Sequence, residues 1–139
     1  SAKTVLVKSD NTTITSPEDF TKDMKVAAQI GTSEADYVQQ LANDGKIKEA
    51  VVLNQTTQCI LQLQNGDVQA VVMDAPVANV YLAKNGDTVK ALDAQIDPAD
   101  MAFAVKTGNT ELLDKLNAGL KNVVDNGTYD ELVAKWYAE

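Results

Sequence analysis

Two short segments hold side chains with the chemistry of a binding site: Gly31-Thr32-Ser33 and Asp74. The first couples a glycine, whose missing Cβ lets another molecule approach the backbone, with two hydroxyls, and it stands where a helix is expected to begin. A helix start presents N–H groups with no partner inside the helix and carries partial positive charge, so such a turn can cradle a small anion. The same pattern also serves as a plain turn and helix cap. Asp74 directly follows the apolar run Val68 to Met73, and its carboxylate can accept short, charge-assisted hydrogen bonds from an ammonium group. Its place two residues before Pro76 equally suits a helix cap. An anion cradle and a carboxylate on one rim suit a zwitterion.

Composition closes off other chemistries. The 139 residues contain no His and one cysteine, Cys59, which leaves neither an internal disulfide nor a zinc ligand set. Cys59 falls in the apolar run Cys59-Ile60-Leu61 and reads as a small buried hydrophobe rather than a nucleophile. A net charge of -8, from 20 acidic against 12 basic residues, repels phosphate backbones, so no nucleic-acid partner is expected. Every basic residue is Lys; without Arg the chain has no fork-shaped clamp for a carboxylate. No cofactor or metal is expected. No stretch of 18 apolar residues occurs. Ser1-Ala2-Lys3 lacks the regions of a signal peptide, and the expectation is that any secretion signal or lipid anchor has been removed or lies elsewhere.

The elements that must position these residues alternate short apolar runs with helix-period segments, the pattern of an α/β domain with a parallel sheet. With 45% hydrophobic and 23% charged residues, a chain of this length buries one sizeable core. Val5-Leu6-Val7 is a first strand, and Ser16-Pro17 opens a short helix over 17–22. Three strand-turn-helix units follow. Strand 25–30 leads through Gly31-Thr32-Ser33 to a helix over 34–43; strand 50–53 leads through Asn54-Gln55-Thr56 to a helix stopped by Gly66; strand 68–73 leads through Asp74-Ala75-Pro76 to a helix ending at Asn85-Gly86. Ligands of open parallel sheets bind beyond the carboxyl ends of strands, so residues just after Gln29, Leu53 and Met73 should share one rim. After a polar stretch from Asp93 to Asp100, Met101–Val105 reads as one more apolar strand. Two amphipathic helices complete the chain, with apolar faces through Leu112, Leu116 and Leu120, then through Tyr129, Leu132 and Trp136.

Three segments are similar to the polar amino-acid-binding proteins of ABC importers: Lys25 to Ser33, Leu63 to Asp74, and Gly108-Asn109-Thr110-Glu111 through Gly127-Thr128-Tyr129 to Lys135-Trp136-Tyr137. The resemblance spans essentially the whole chain. It implies two α/β lobes of the type II periplasmic-binding fold, joined by two hinge strands and closing on a single amino acid. It implies further that Thr32 and Ser33, on the Gly31 turn, bind the ligand's α-carboxylate, that Asp74 takes its α-ammonium, and that Gln29 and Met73 border its side chain. Gln69 departs from the acidic residue common there. On this resemblance residues 1–9 form a hinge strand, 10–100 the second lobe, 101–107 the return hinge strand and 108–139 helices that complete the first lobe. The first-lobe segment with its aromatic residues and carboxylate-clamping Arg is not among these residues.

The implied function is non-catalytic capture of a free, polar amino acid for an ABC permease, outside the cytoplasmic membrane, in a periplasm or as a cell-surface lipoprotein. The apolar faces of the last helices then need a cover, either the first lobe or a second copy, a domain-swapped dimer included. Other readings are a ligand-sensing domain of a receptor and a dehydratase-like enzyme using Asp74, the latter disfavoured by the lack of His and of a second rim carboxylate.

Overall fold

The computed structural model describes residues 2–97, 100 and 102–137, the last by its backbone alone. It divides into two compact units, Ser1–Ala99 and Asp100–Glu139.

The first unit is built on a five-stranded sheet of β1 (Lys3–Lys8), β2 (Lys25–Gln29), β3 (Glu49–Leu53), β4 (Ala70–Asp74) and β5 (Val89–Ile96), in the spatial order β3-β2-β4-β1-β5. β2 pairs in parallel with both β3 and β4, while β1 runs antiparallel to β4 and β5. The expected parallel sheet is thus crossed by one reversed strand, β1. Side chains alternate between the two faces of a strand, and the core divides accordingly. Val5, Val7, Val26, Ala28 and Val72 face one side, where α1 (Ser33–Asn43) contributes Ala35, Val38 and Leu41. Leu6, Ala27, Val71 and Met73 face the other, where α2 (Thr56–Asn65) contributes Cys59, Ile60 and Leu63 and α3 (Ala75–Asn85) contributes Ala78. The near-continuous apolar runs of β1, β2 and β4 follow from this burial on both faces.

Local chemistry sets the element ends. Gly66, at φ +84°, closes α2 in the left-handed conformation a side chain resists, and its N–H donates to the carbonyl of Leu63 at 3.1 Å. The short helix expected over 17–22 shrinks to one 3-10 turn, Pro17–Asp19, whose Asp19 carboxylate accepts from the N–H groups of Thr15 at 2.8 Å and Ser16 at 3.0 Å. These bonds hold the Asp19 carboxyl below its ordinary pKa, because each donor favours the charged form.

Two regions differ from the sequence pattern. β5 arises where a polar stretch was expected over much of its length; it is an edge strand paired to β1 alone, so Lys90, Asp93 and Gln95 keep their polar ends toward water while Val89 and Ile96 are buried. The strand expected over Met101–Val105 is absent from residues 102–106, and Met101 lies outside the described residues. A strand needs a neighbour for its N–H and C=O groups, and 102–106 join no strand among the described residues; Phe103 is 71% exposed.

The second unit contains α4 (Thr110–Asp125) and α5 (Thr128–Tyr137). The Asn109 carboxamide caps α4 by accepting from the Leu112 N–H at 3.3 Å, and Gly127, at φ +82°, turns the chain between the helices. α4 has no buried residue.

Candidate functional site

The course of the chain opens a crevice beside β2. After β2 it leaves over the face covered by α1; after β3 and β4 it leaves over the opposite face, covered by α2 and α3. Because β2, β3 and β4 are parallel, their carboxyl ends lie together, and the divergence of α1 from α2 and α3 is a topological switch point, where open α/β sheets take ligands. A cavity of about 90 Å³ sits there, lined by Gln29, Thr32, Glu34, Thr56, Cys59, Val71, Val72, Met73, Asp74 and Val77.

Gly31 adopts φ +76° and delivers the chain from β2 into α1. Thr32 is the N-cap of α1: its hydroxyl accepts from the Ala35 N–H at 3.2 Å and donates to the Gln29 carbonyl at 2.7 Å. The capping role weighed from the sequence is therefore real, and it ties the cap back to the end of β2. The N–H groups of Ser33 and Glu34, in the first turn, have no acceptor among the described residues and supply the donors and positive end of the helix.

Asp74 ends β4 and occupies the N-cap position of α3, with no capping hydrogen bond from its side chain. Its rim position is fixed by β4, which is hydrogen-bonded on both edges, and by the Ala75 N–H, which donates to the Ala2 carbonyl at 2.9 Å. Met73, nearly buried, forms part of the cavity floor.

Of the residues singled out from the sequence, Gln29, Thr32, Met73 and Asp74 converge on this cavity; Gly31 and Ser33 flank Thr32 in the chain but do not line it. Gln69, outside the site, pairs with β2: its side-chain oxygen accepts from the Lys25 N–H at 2.8 Å. The structure adds residues the sequence pattern did not single out. The Thr56 hydroxyl donates to Gln29 Oε1 at 2.7 Å, while Gln29 Nε2 donates to the Asn54 carbonyl at 3.3 Å, so the amide is oriented from both ends. Thr56 follows β3 on the shared rim, which was the signal that could have marked it. Glu34, in the first turn of α1, brings a second carboxylate, contrary to the expectation of a single one on the rim.

Cys59 closes the wall of the cavity from α2; burial pushes its thiol up to about 11, so it stays protonated at neutral pH and is no nucleophile. No group of acidic, His or Cys side chains suited to a metal occurs among the described residues.

Residues 2–139 match the bacterial extracellular solute-binding proteins, family 3. A putative ABC transporter arginine-binding protein of Escherichia coli K12 is 31% identical over 125 residues, covering 86% of this chain and 49% of its own. The L-cystine-binding protein of Bacillus subtilis is 29% identical over 136 residues, covering 97% of this chain and 48% of its own. The chain thus spans about half the length of the curated relatives it matches. Among solved structures, an ancestral arginine-binding protein bound to arginine aligns with a TM-score of 0.80 at 32% identity, covering 98% of this chain and 60% of that one. With the family matched along almost its entire length, and with a mixed α/β fold like that of these binding proteins, this chain belongs to the bacterial extracellular solute-binding proteins, family 3.

Proposed function

We propose that the chain supplies a ligand-facing lobe of an extracytoplasmic solute-binding protein that captures a free amino acid for an ABC importer. The observation that carries this reading is the convergence of Thr32 and Asp74 on one cavity at the carboxyl ends of β2 and β4. The start of α1, shaped by Gly31 and Thr32, takes the α-carboxylate through the N–H groups of its first turn, that of Glu34 on the cavity wall and that of Ser33 beside Thr32 outside the lining. Asp74 takes the α-ammonium. Gln29 and Met73 border the ligand side chain. The role is binding without a chemical step, and the arginine-binding and cystine-binding relatives support an amino acid as the ligand class.

In the same reading β1 serves as one hinge strand and residues 101–107 as the return, whereas α4 and α5 belong to the other lobe. The partner is the importer's membrane permease, and the place is a periplasm or the cell surface, as a lipoprotein. A second copy or a first lobe covers the apolar faces of α4 and α5.

Isothermal titration of the complete product of the open reading frame against each amino acid tests the reading. Saturable binding of at least one is expected, and Asp74→Asn weakens it about tenfold or more, the loss of one charge-assisted hydrogen bond. Silence toward every amino acid would sink it.

A further inference from the structure

We propose that Glu34 selects an amino acid with a cationic side chain. The inference rests on the amino-acid-binding reading above and narrows its ligand. The charged groups lining the cavity are the carboxylates of Glu34 and Asp74; the other polar lining groups, Gln29, Thr32 and Thr56, are neutral. No Lys lines the cavity, and these 139 residues hold neither Arg nor His.

The ligand's α-ammonium answers one carboxylate, Asp74. Glu34 is then left over. It is half-buried, and among the described residues it has no ion pair or side-chain hydrogen bond. The positive end of α1 offsets part of its charge, but a bound α-carboxylate draws on the same N–H groups. A ligand that covers Glu34 strips water from it, which is unfavourable unless a countercharge arrives. An ammonium or guanidinium at the end of the ligand side chain supplies that countercharge. Its methylene stem suits the apolar surface of Met73 and Val77. A neutral amino acid offers nothing to Glu34.

The test is isothermal titration of the complete product of the open reading frame with lysine, arginine, glutamine and leucine, for the wild type, E34Q and E34D. The wild type is expected to bind lysine or arginine at least about tenfold more tightly than glutamine, and E34Q to shrink that ratio by about tenfold, the effect of one charge-assisted hydrogen bond. A wild type that binds glutamine or leucine as tightly as the cations overturns the proposal and leaves the amino-acid-binding reading standing, as does a ratio that E34Q leaves intact. Binding of no amino acid overturns both. Circular dichroism checks the fold of E34Q; if it is lost, E34D carries the test, because withdrawing the carboxylate by one methylene must also lower the ratio, and an unchanged ratio overturns the proposal.

Discussion

Thr32 commits the single donor of its hydroxyl to the Gln29 carbonyl and accepts from the Ala35 N–H, so what it offers a ligand is position rather than a free donor. Gln29 is held in the same way by Thr56 and Asn54. Thr56→Val keeps the shape and deletes the donor to Gln29, and it is expected to lower the unfolding free energy by about 0.5–1.5 kcal/mol in urea titration and to weaken amino-acid affinity as the Gln29 amide loses its orientation. An affinity equal to wild type would remove Gln29 from the site. Cys59 gives a pH dependence of known sign. Its thiol ionises near the ordinary 9.0 when unfolded and near 11 when folded, so between those values the unfolded state holds fewer protons and stability falls as pH rises. Tyr37, raised chiefly by burial, acts in the same sense, which is why the comparison must be with Cys59→Ala. Melting temperatures followed from pH 8 to 11 should decline more steeply for the wild type than for Cys59→Ala; parallel curves would show that the thiol is not protected. Asp74 and the Gly31 turn were visible in the sequence because each directly follows an apolar strand. Thr56 and Glu34 were hidden, since polar residues in a first helical turn look the same whether or not they face a cavity.

β1, β2 and β4 were legible as strands because burial on both faces leaves an unbroken apolar run, and the helices because their apolar positions recur at helical spacing. Leu6, fully buried in β1 between Val71 and Ala91 in the paired strands, is expected to cost about 2–5 kcal/mol as Leu6→Ala, whereas Leu61→Ala, 56% exposed on α2, should stay within about 0.5 kcal/mol. Equal losses in the two variants, read from chemical denaturation, would contradict this placement of the core. The glycines that end helices are not alike. Gly66 is left-handed with open space where a Cβ would sit, so Gly66→Ala is strained by backbone conformation alone, about 1 kcal/mol; Gly86 is right-handed, and a Cβ there would meet the Leu82 carbonyl at 2.9 Å. The sequence marked both as stops without separating these causes. β5 escaped notice because an edge strand carries Lys, Asp and Gln on its exposed positions. Residues 102–106 misled in the opposite sense: apolar content predicts burial, and burial needs a partner that pattern alone does not supply.

The two units differ in what holds them. Ser1–Ala99 has a core on each face of its sheet, while α4 and α5 have little within their own unit to bury. Leu112, Leu113, Leu120, Val124, Leu132 and Val133 are between 38% and 51% exposed, and Trp136 is 64% exposed. The ion pairs of α4, Glu111 with Lys115 and Asp125 with Lys121, join solvent-exposed side chains and add about 0.3–0.5 kcal/mol each, too little to hold helices of 16 and 10 residues that are marginal by length alone. A polypeptide ending at Ala99 is therefore expected to unfold cooperatively, and a peptide of residues 100–139 to be mostly coil by circular dichroism. If a second copy covers the apolar faces of α4 and α5, the sedimentation mass of the 139-residue chain should rise with concentration, and the chain ending at Ala99 should remain a monomer. Replacing Leu120 and Leu132 by Asp should then shift the 139-residue chain toward the monomer without lowering the melting temperature of the sheet unit, because neither residue belongs to its core. A mass that stays monomeric at every concentration would rule out the second copy and leave the first lobe as the cover.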